Sequence, residues 1–212
     1  MNGSSYSNPP LTGAIVFARY DSTRLHGKVL KKIAGRPMLD HVLARVQRIQ
    51  PDLPITLATT NRLVDKPLAD WAELHKISIF RGPLENVTDR AVACGEKFNF
   101  SGFIRVCADR PFLDPIMNRK LLQTFELNEV DLATNAFEKT FPNGAMAEVI
   151  RISALQKVLR ETDNPDDLEH VTPYIYRHAE RFRIKNLRAL DNSLAPLNLA
   201  VDTYADLCRT RW

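Results

Sequence analysis

The hydrophobic positions near the start of the chain form one continuous run that stops at a polar segment. Residues 14–18 are all apolar, the pattern of a strand buried on both faces, because a half-exposed strand alternates apolar and polar positions. The polar segment 19–28 follows at once. The pattern predicts a buried first strand that ends in a polar loop.

Further apolar runs alternate with segments of helical periodicity through the first half of the chain. The predicted strands span 14–18, 55–59, 77–80 and 103–107, a short extended piece spans 29–33, and the predicted helices span 37–49, 65–76 and 85–98. Strands that alternate with helices over short connections are typical of a mostly parallel sheet with helices on both faces. The fold class is therefore predicted to be α/β; a barrel of eight such repeats normally needs about 250 residues.

The second half is less regular. Predicted strands span 130–135, 147–152, 182–187 and 197–201. Ser153 is predicted to cap a helix that runs to about residue 160, Pro173 interrupts a helical segment over 167–178, and Asp202 with Thr203 begins a final helix. Residues 13–212 are expected to form a single domain with two halves, 13–128 and 129–212.

Composition narrows the class of protein. The chain has 212 residues, of which 44% are hydrophobic, and a net charge of +4. Residues 1–12 are predicted to be a flexible tail, and no apolar run approaches the roughly 20 residues that span a bilayer. The three cysteines lie far apart, which argues against a disulfide framework or a zinc site and favours a cytoplasmic protein. Sparse aromatic residues and the absence of a one-sided basic helix argue against nucleic-acid binding.

The polar segment 19–28 has the composition of a loop that binds a polyanion. Ligands of open parallel sheets bind beyond the carboxyl ends of the strands, where this loop is expected. Its chemistry comes from three cations, two hydroxyl residues and a glycine: Arg19, Arg24, Lys28, Ser22, Thr23 and Gly27. A solvated surface loop is the alternative. The segment is not a Walker A loop, because Val29 follows Lys28, and the chain has no G-x-G-x-x-G motif.

Two carboxylates complete the predicted site. Asp109 and Asp202 each follow a predicted strand directly, so both are expected near the cationic loop. Carboxylates that face a polyphosphate would repel it unless a hard divalent cation such as Mg²⁺ lies between them. The alternative for each aspartate is a helix N-cap, since each precedes a possible helix.

These residues resemble a known family. The segment ARYDSTRLHGK at 18–28, followed by GRPM at 35–38, is similar to the signature of the sugar cytidylyltransferases, which activate acidic sugars with CTP and include the CMP-Kdo and CMP-sialic acid synthetases. The rest of the chain looks closest to the spore-coat-polysaccharide branch. The motifs of that branch are FRG at 80–82, Arg105 with Asp109 and Pro111, FPNG at 141–144, Glu148 with Val149, EHVTPY at 169–174 and VDT at 201–203.

The resemblance implies a Rossmann-like nucleotidyltransferase fold, CTP as donor, Mg²⁺ as cofactor, a small acidic acceptor and a homodimer formed through the second half. It implies that the half 13–128 binds CTP and that the half 129–212 binds the acceptor. It implies catalytic roles for Arg19, Arg24, Lys28, Asp109 and Asp202, with the two aspartates as metal ligands. The implied nucleotide-binding residues are Ala18, Arg19, Ser22, Thr23, Arg24, Lys28, Thr59, Arg81 and Asp109. The implied acceptor-binding residues are Arg105, Asn143, Glu148, Glu169, His170 and Thr172.

The chain departs from the family pattern at three places, of which the first two concern the acceptor more than the chemistry. Asn143 stands where the branch usually has an acidic residue, residues 85–87 read Glu-Asn-Val in place of Asp-Asp-Val, and His26 replaces the usual proline before the loop glycine. An acidic sugar is the expected acceptor, and a phosphonate or another small acid is the alternative. A nucleotide-sugar-binding regulator without catalysis is the alternative outside the enzymes.

Several individual roles stay open at this level. His170 is a general base, an acceptor ligand or a helix cap. Glu148 faces the acceptor or supports the metal, and Arg105 pairs with a carboxylate or reaches the acceptor. Core packing is the expected role of Tyr174 and Tyr176.

Overall fold

A computed structural model describes residues 11–211, and the chain in that range folds into an α/β arrangement. The strands are β1 (Leu11–Phe17), β2 (Lys32–Ile33), β3 (Arg36–Pro37), β4 (Ile55–Thr60), β5 (Ser78–Gly82), β6 (Phe100–Cys107), β7 (Leu132–Thr134), β8 (Glu148–Arg151) and β9 (Ile184–Asn186). The helices are α1 (Met38–Val46), α2 (Lys66–Leu74), α3 (Val87–Lys97), α4 (Pro115–Asn128), α5 (Ile152–Glu161), α6 (Pro165–His170), α7 (Pro173–Arg177) and α8 (Tyr204–Thr210). Short 3₁₀ turns lie at Lys28–Leu30, Leu63–Asp65 and Ala179–Arg181.

Seven strands form one mixed sheet in the order β5-β4-β1-β6-β8-β7-β9. Strand β1 pairs in parallel with β4 and β6, and β4 pairs in parallel with β5. Strand β8 runs antiparallel to β6 and β7, and β7 is parallel to β9. The predicted mostly parallel sheet is confirmed, and the carboxyl ends of its strands other than β8 lie at the same edge.

Hydrophobic side chains pack on both faces of this sheet. On one face, Val16 belongs to a cluster that also contains Leu39 of α1 and Leu121 of α4. On the other face, Ile15 packs in a cluster with Ala91 of α3 and Leu155 of α5. Since neighbouring residues of β1 serve opposite faces, the strand must be apolar throughout, which is the pattern the sequence has.

The first half follows the predicted order of elements, with one helix missed. Helix α4 was not predicted between 107 and 130. Its start carries two sequence signals: Asp114 accepts a hydrogen bond from the backbone N–H of Ile116, and Pro115 occupies the first turn. The extended piece predicted over 29–33 is a 3₁₀ turn followed by β2.

Two predictions for the second half are wrong. Residues 197–201 form no strand; within this segment only Asn198 makes an isolated bridge, to Asn143. Ser153 is not an N-cap, because α5 begins at Ile152 and Arg151 occupies the cap position. The predicted interruption of the helical segment 167–178 at Pro173 is confirmed, since α6 ends at His170 and α7 begins at Pro173.

The boundary of the predicted tail also shifts. Strand β1 begins at Leu11, so residues 11 and 12 belong to the sheet, and the remainder of the predicted tail, 1–10, lies outside the described residues. Across 11–211, none of the helices is both long enough and apolar enough to span a bilayer.

Candidate active site

The site lies where the order of the sheet changes direction. The chain adds β4 and β5 on one side of β1 and then places β6 on the other side, so β1 and β6 flank the topological switch point. Ligands of open α/β sheets bind outside the carboxyl ends of the strands at such a point. The backbone N–H of Ala108 donates to the carbonyl of Phe17 (3.1 Å), which brings the ends of β6 and β1 together. The cationic loop and Asp109 therefore meet here.

The loop after β1 is closed on itself. The backbone N–H of Gly27 donates to the carbonyl of Tyr20 (2.8 Å), and Gly27 has a φ of 63°, in the left-handed region. A residue with a Cβ atom is strained in that conformation, so a glycine is favoured at this turn. His26 lies beside it and packs edge-on against the Tyr20 ring, with 5.0 Å between the ring centroids.

A buried carboxylate anchors the start of the loop. Asp65 is fully buried and accepts hydrogen bonds from the Tyr20 backbone N–H (2.7 Å) and the Thr60 hydroxyl. Arg62 also contacts Asp65 and forms a two-pronged ion pair with Asp21 (2.6 and 2.8 Å). The hydrogen bonds from Arg62 lower the pKa of Asp21 and outweigh partial desolvation, which would raise it. The loop is thus fixed to the end of β4 before any ligand binds.

Lys28 joins the two predicted metal ligands. Its ammonium group donates to Asp109 Oδ2 (2.8 Å) and to Asp202 Oδ1 (2.9 Å), and Arg24 donates to the same Asp202 oxygen (2.8 Å). The Lys28 side chain is 11% exposed. Burial alone would lower the pKa of Lys28, but Asp109 and Asp202 outweigh it and raise the pKa. The predicted convergence of cations and carboxylates is present in the fold.

Neither aspartate acts as the N-cap considered for it. The cap of α4 is Asp114, and the cap of α8 is Thr203, whose side chain pairs with Asp206 in a capping box. Asp202 reaches the site because the backbone N–H of Val201 donates to the carbonyl of Asp109 (2.9 Å). Both carboxylates are therefore free of helix-capping roles and face the site.

The two carboxylates fit a divalent cation. An oxygen of each already contacts one positive group, the Lys28 ammonium, so the pair converges on a single cationic position. Carboxylate oxygens are the ligands that Mg²⁺ takes in proteins, usually with substrate phosphates and water completing the shell. Within residues 11–211 there is no group of three or more ligating side chains. A metal held here would depend on a bound phosphate for further ligands.

A first cavity of about 240 Å³ opens at this point of the sheet. Eleven predicted site residues line it: Ala18, Arg19, Ser22, Thr23, Arg24, Lys28, Arg105, Asp109, Glu169, His170 and Asp202. Two predicted nucleotide ligands do not reach it. Thr59 is fully buried within β4, and Arg81 donates to the carbonyls of Thr60 (2.9 Å) and Arg62 (2.8 Å). Arg81 thus supports the loop after β4.

Arg90 of α3 lines the first cavity and was missed by the sequence analysis. It is 4% exposed, and one terminal nitrogen donates to the carbonyl of Pro83 (2.8 Å). Its Nε finds no hydrogen-bond partner among residues 11–211. Burial lowers the pKa of Arg90 to about 10. A sequence signal existed, because Arg90 lies between Val87 and Cys94 on the apolar stripe of a predicted helix.

Glu148 and Arg105 form a buried ion pair across neighbouring strands. They are register partners of β8 and β6, and Arg105 donates to Glu148 Oε2 (2.6 Å). The other carboxylate oxygen accepts from the hydroxyls of Thr172 (2.8 Å) and Tyr176 (2.5 Å). Burial would raise the pKa of Glu148, but Arg105 and these hydroxyls lower it overall. Arg105 therefore pairs with a carboxylate, and Tyr176 donates a hydrogen bond to the same carboxylate in addition to its packing.

A strained turn places the residues after α6. Val171 is fully buried with a φ of 74°, and the backbone N–H of Thr172 donates to the carbonyl of His170 (2.9 Å), which makes a γ-turn. A positive φ at a β-branched residue costs about 1–3 kcal/mol and persists only where the surroundings enforce it. The turn sends His170 to the wall of the first cavity and Thr172 to Glu148.

Three predicted acceptor residues, Glu148, Thr172 and Asn143, do not line this cavity. Asn143 stands at the first departure from the family pattern. It is exposed, and its side-chain amide donates to Asn198 (2.8 Å). Asn86, at the second departure from the family pattern, caps α3 by accepting from the backbone N–H of Asp89 (2.7 Å). Both residues thus have local structural partners.

Comparison with known sequences agrees with the geometry. The family model described as Cytidylyltransferase matches residues 13–205. The spore coat polysaccharide biosynthesis protein SpsF of Bacillus subtilis (strain 168) is 33% identical over 203 residues, which cover 91% of this chain and 81% of that protein. The 3-deoxy-manno-octulosonate cytidylyltransferase of Brucella ovis is 29% identical over an alignment of 239 residues, gaps included, which covers 94% of each chain.

Solved structures share the fold. A cytidylyltransferase from Leptospira borgpetersenii superposes with a TM-score of 0.89 at 24% identity, over 94% of this chain and 84% of that one. A CMP:2-keto-3-deoxy-manno-octonic acid synthetase complexed with CTP gives 0.70 at 20% identity, over 94% and 96%. Rv0371c of Mycobacterium tuberculosis H37Rv, solved with manganese, gives 0.62 at 14% identity, over 94% and 96%. These likenesses confirm the predicted Rossmann-like nucleotidyltransferase fold.

Proposed function

This chain belongs to the cytidylyltransferase family, and from that premise we propose that it joins the CMP group of CTP to an acidic sugar for a surface polysaccharide. The products are a CMP-linked sugar and pyrophosphate. The names of the relatives support a sugar acid as acceptor, since one acts on 3-deoxy-manno-octulosonate and another serves spore coat polysaccharide synthesis.

One observation carries the proposal: Lys28 lies between Asp109 and Asp202 at the switch point, beside a cationic loop. A protein that only bound a nucleotide would need the cations but not the two carboxylates, which repel phosphate. Carboxylates become useful when a divalent cation lies between them and the phosphates. This argument favours an enzyme over a catalytically inactive regulator.

We assign the roles as follows. An acceptor oxygen attacks the α-phosphorus of CTP, and the bond between the α-phosphorus and the bridging oxygen breaks with its electrons on the leaving pyrophosphate. Arg19, Arg24 and Lys28 neutralise the triphosphate, which favours a reaction whose charge moves to the leaving group. Asp109 and Asp202 would hold Mg²⁺. When bound, the ion would supply Lewis-acid polarisation of the phosphate and acidify a coordinated hydroxyl.

His170 and Glu169 line the same cavity as these cations. If the acceptor is a hydroxyl, its proton must leave during the attack, and a positioned base contributes typically 10²–10⁴-fold to the rate. We propose His170 for this role, because the γ-turn at Val171 aims it at the cavity wall. The His170→Gln variant, which keeps a hydrogen-bonding side chain, separates proton transfer from acceptor binding by comparing kcat with the acceptor KM.

The departure at Asn143 gives no reason to prefer a phosphonate acceptor, since the Asn143 side chain donates a hydrogen bond to Asn198 and lies outside the first cavity. The three cysteines are free thiols, which suits a reducing compartment, and we propose the cytoplasm as the site of the reaction. A homodimer formed through the second half, and the division of the domain at residue 128, stay predictions.

Pyrophosphate release tests the proposal. Each nucleoside triphosphate is offered with Mg²⁺ and a panel containing 3-deoxy-manno-octulosonate, N-acetylneuraminate and 2-aminoethylphosphonate. We expect release with CTP and an acidic sugar, and none with the Asp109→Asn variant. Tight CTP binding without release for any acceptor would overturn the enzymatic proposal and favour the regulator.

A further inference from the structure

A second cavity of about 400 Å³ lies on the other side of the buried Arg105–Glu148 pair. Its charged lining consists of three cations, Arg105, Arg110 and Lys139, and one carboxylate, Glu148. The Glu148 charge is already balanced by Arg105 and by two hydroxyl donors. The cavity therefore presents excess positive charge to whatever enters it.

We propose that this second cavity binds the acidic group of the acceptor sugar through Arg110 and Lys139. The inference rests on the proposed function and names the residues that select the acceptor. It replaces Glu148 and Thr172 in that role, because the two oxygens of Glu148 accept three hydrogen bonds from neighbouring side chains and Thr172 donates to one of them.

Both newly assigned cations have unused hydrogen-bond donors, and the buried Nε of Arg105 also finds no partner among residues 11–211. Arg110 uses one terminal nitrogen to donate to the carbonyl of Met146 (2.7 Å), which leaves the remainder of its guanidinium for a ligand. Within residues 11–211, Lys139 forms no hydrogen bond or ion pair, and it is exposed. An arginine and a lysine with unused donors suit a carboxylate, which accepts on both oxygens.

The apolar lining suits a sugar ring. Phe137 stacks on Tyr176, with 5.3 Å between ring centroids and 19° between ring planes, and both line the cavity with Met146. Phe137 is 39% exposed, so part of its ring is open to a ligand. The volume falls within the roughly 300–1,000 Å³ of small-molecule sites.

The second cavity adjoins the reacting centre. Arg110 follows Asp109 directly in the chain, and the two side chains line different cavities. Arg105 lines both. Arg110 thus lies on the same turn as Asp109, a proposed metal ligand. A sugar whose acidic group binds to Arg110 would have its ring beside the proposed donor site.

Steady-state kinetics with the acceptor found to be active test the assignment. We expect Arg110→Met and Lys139→Met each to raise the acceptor KM about tenfold or more, the loss expected when a charge-assisted hydrogen bond is removed. The CTP KM and kcat should stay within about twofold of wild type. Lys185→Met, on the exposed position of β9 and outside both cavities, is the matched control. Lys139→Met is the decisive variant, since it breaks no hydrogen bond or ion pair within residues 11–211.

Lysine protection gives a readout that needs no turnover. The protein is acetylated in the presence of 3-deoxy-manno-octulosonate, N-acetylneuraminate, their methyl esters or 2-aminoethylphosphonate, and Lys139 and Lys185 are followed by mass spectrometry. We expect an acidic sugar to slow the acetylation of Lys139 but not of Lys185, and its methyl ester to give no protection.

The two assays separate this inference from the proposed function. Protection of Lys139 by an acidic sugar without pyrophosphate release overturns the enzymatic proposal and supports the cavity assignment. Pyrophosphate release from an acidic sugar with Lys139 unprotected and an unchanged acceptor KM in Lys139→Met overturns the cavity assignment alone. Absence of protection by every acid overturns it as well, and protection by the phosphonate alone overturns the choice of a sugar acid.

Discussion

The Glu148→Gln substitution is expected to destabilise the protein by about 3 kcal/mol, toward the low end of the range for breaking a buried ion pair. Glu148 is 5% exposed in its side chain, and it accepts hydrogen bonds from Arg105, Thr172 and Tyr176. Glutamine has nearly the same shape but no charge, and one of its two terminal atoms donates. Arg105 therefore keeps its charge and loses its counterion.

The magnitude follows from burial. Breaking a buried pair by removing one partner costs about 3–5 kcal/mol, because the remaining charge is left desolvated. The Arg105 side chain is 16% exposed, so water relieves part of this cost and the lower figure applies. For a domain of this size, 1 kcal/mol shifts Tm by about 2–4 °C, so the expected fall is roughly 6–12 °C.

Thermal unfolding of matched variants measures the effect. Asp70→Asn removes an ion pair with Lys66 whose side chains are 66% and 58% exposed, and such a pair contributes less than about 1 kcal/mol. The double variant Arg105→Met with Glu148→Leu removes both charges and should melt above Glu148→Gln, since apolar replacement of a buried pair is often neutral or stabilising. If Glu148→Gln melts as close to wild type as Asp70→Asn does, the buried charge of Arg105 does not need its partner and the reasoning is wrong.

Four further outcomes are expected. The pKa of Glu148 is lowered in the fold, so the stability that this carboxylate contributes is present above its unfolded pKa of 4.5 and is lost as the pH falls through its folded pKa. The Tm of wild type should therefore fall more steeply with acid than the Tm of Glu148→Gln. Parallel curves of Tm against pH would contradict this. Lys28→Met should lower turnover by about 10² or more while strengthening Mn²⁺ binding without CTP, measured by the free-ion EPR signal, because the competing ammonium is gone; weaker Mn²⁺ binding would refute the shared position. Asp202→Asn should abolish turnover with the fold intact, and a folded variant with near-normal rates would exclude Asp202 as a metal ligand. Arg90→Met should raise the CTP KM about tenfold without destabilising the protein, since it removes a desolvated cation; an unchanged CTP KM would assign Arg90 a structural role.

Local patterns were sufficient for most of the first half. Strand β1 is apolar at consecutive positions because helices cover both of its faces, and the residue types alone show this. The polar loop that follows it, with Gly27 at a turn that favours a left-handed residue, was likewise readable from the sequence. The ends of two predicted strands then placed Asp109 and Asp202 near that loop, although only Asp109 follows a strand in the fold.

The errors share a cause. Segment 197–201 is mostly apolar, as a buried strand would be, yet the backbone N–H groups of Leu199 and Val201 donate to the carbonyls of Asn143 and Asp109 in loops. Ser153 was a reasonable cap by residue type, but the turn into α5 comes two residues earlier, at Arg151. In each case a partner distant in sequence decided the conformation, and residue propensity does not contain that information.

The sequence by itself determined which strands are buried, where polar loops follow them and which side chains can carry phosphate and metal chemistry. Only the tertiary structure decided which of those side chains meet. Lys28 contacts Asp109, 81 residues away, and Asp202, 174 residues away. Glu148 is paired with Arg105, and Arg90 is buried at the wall of the first cavity. The physical reason is that burial and pairing depend on the path of the whole chain, whereas strand, turn and loop preferences depend on near neighbours.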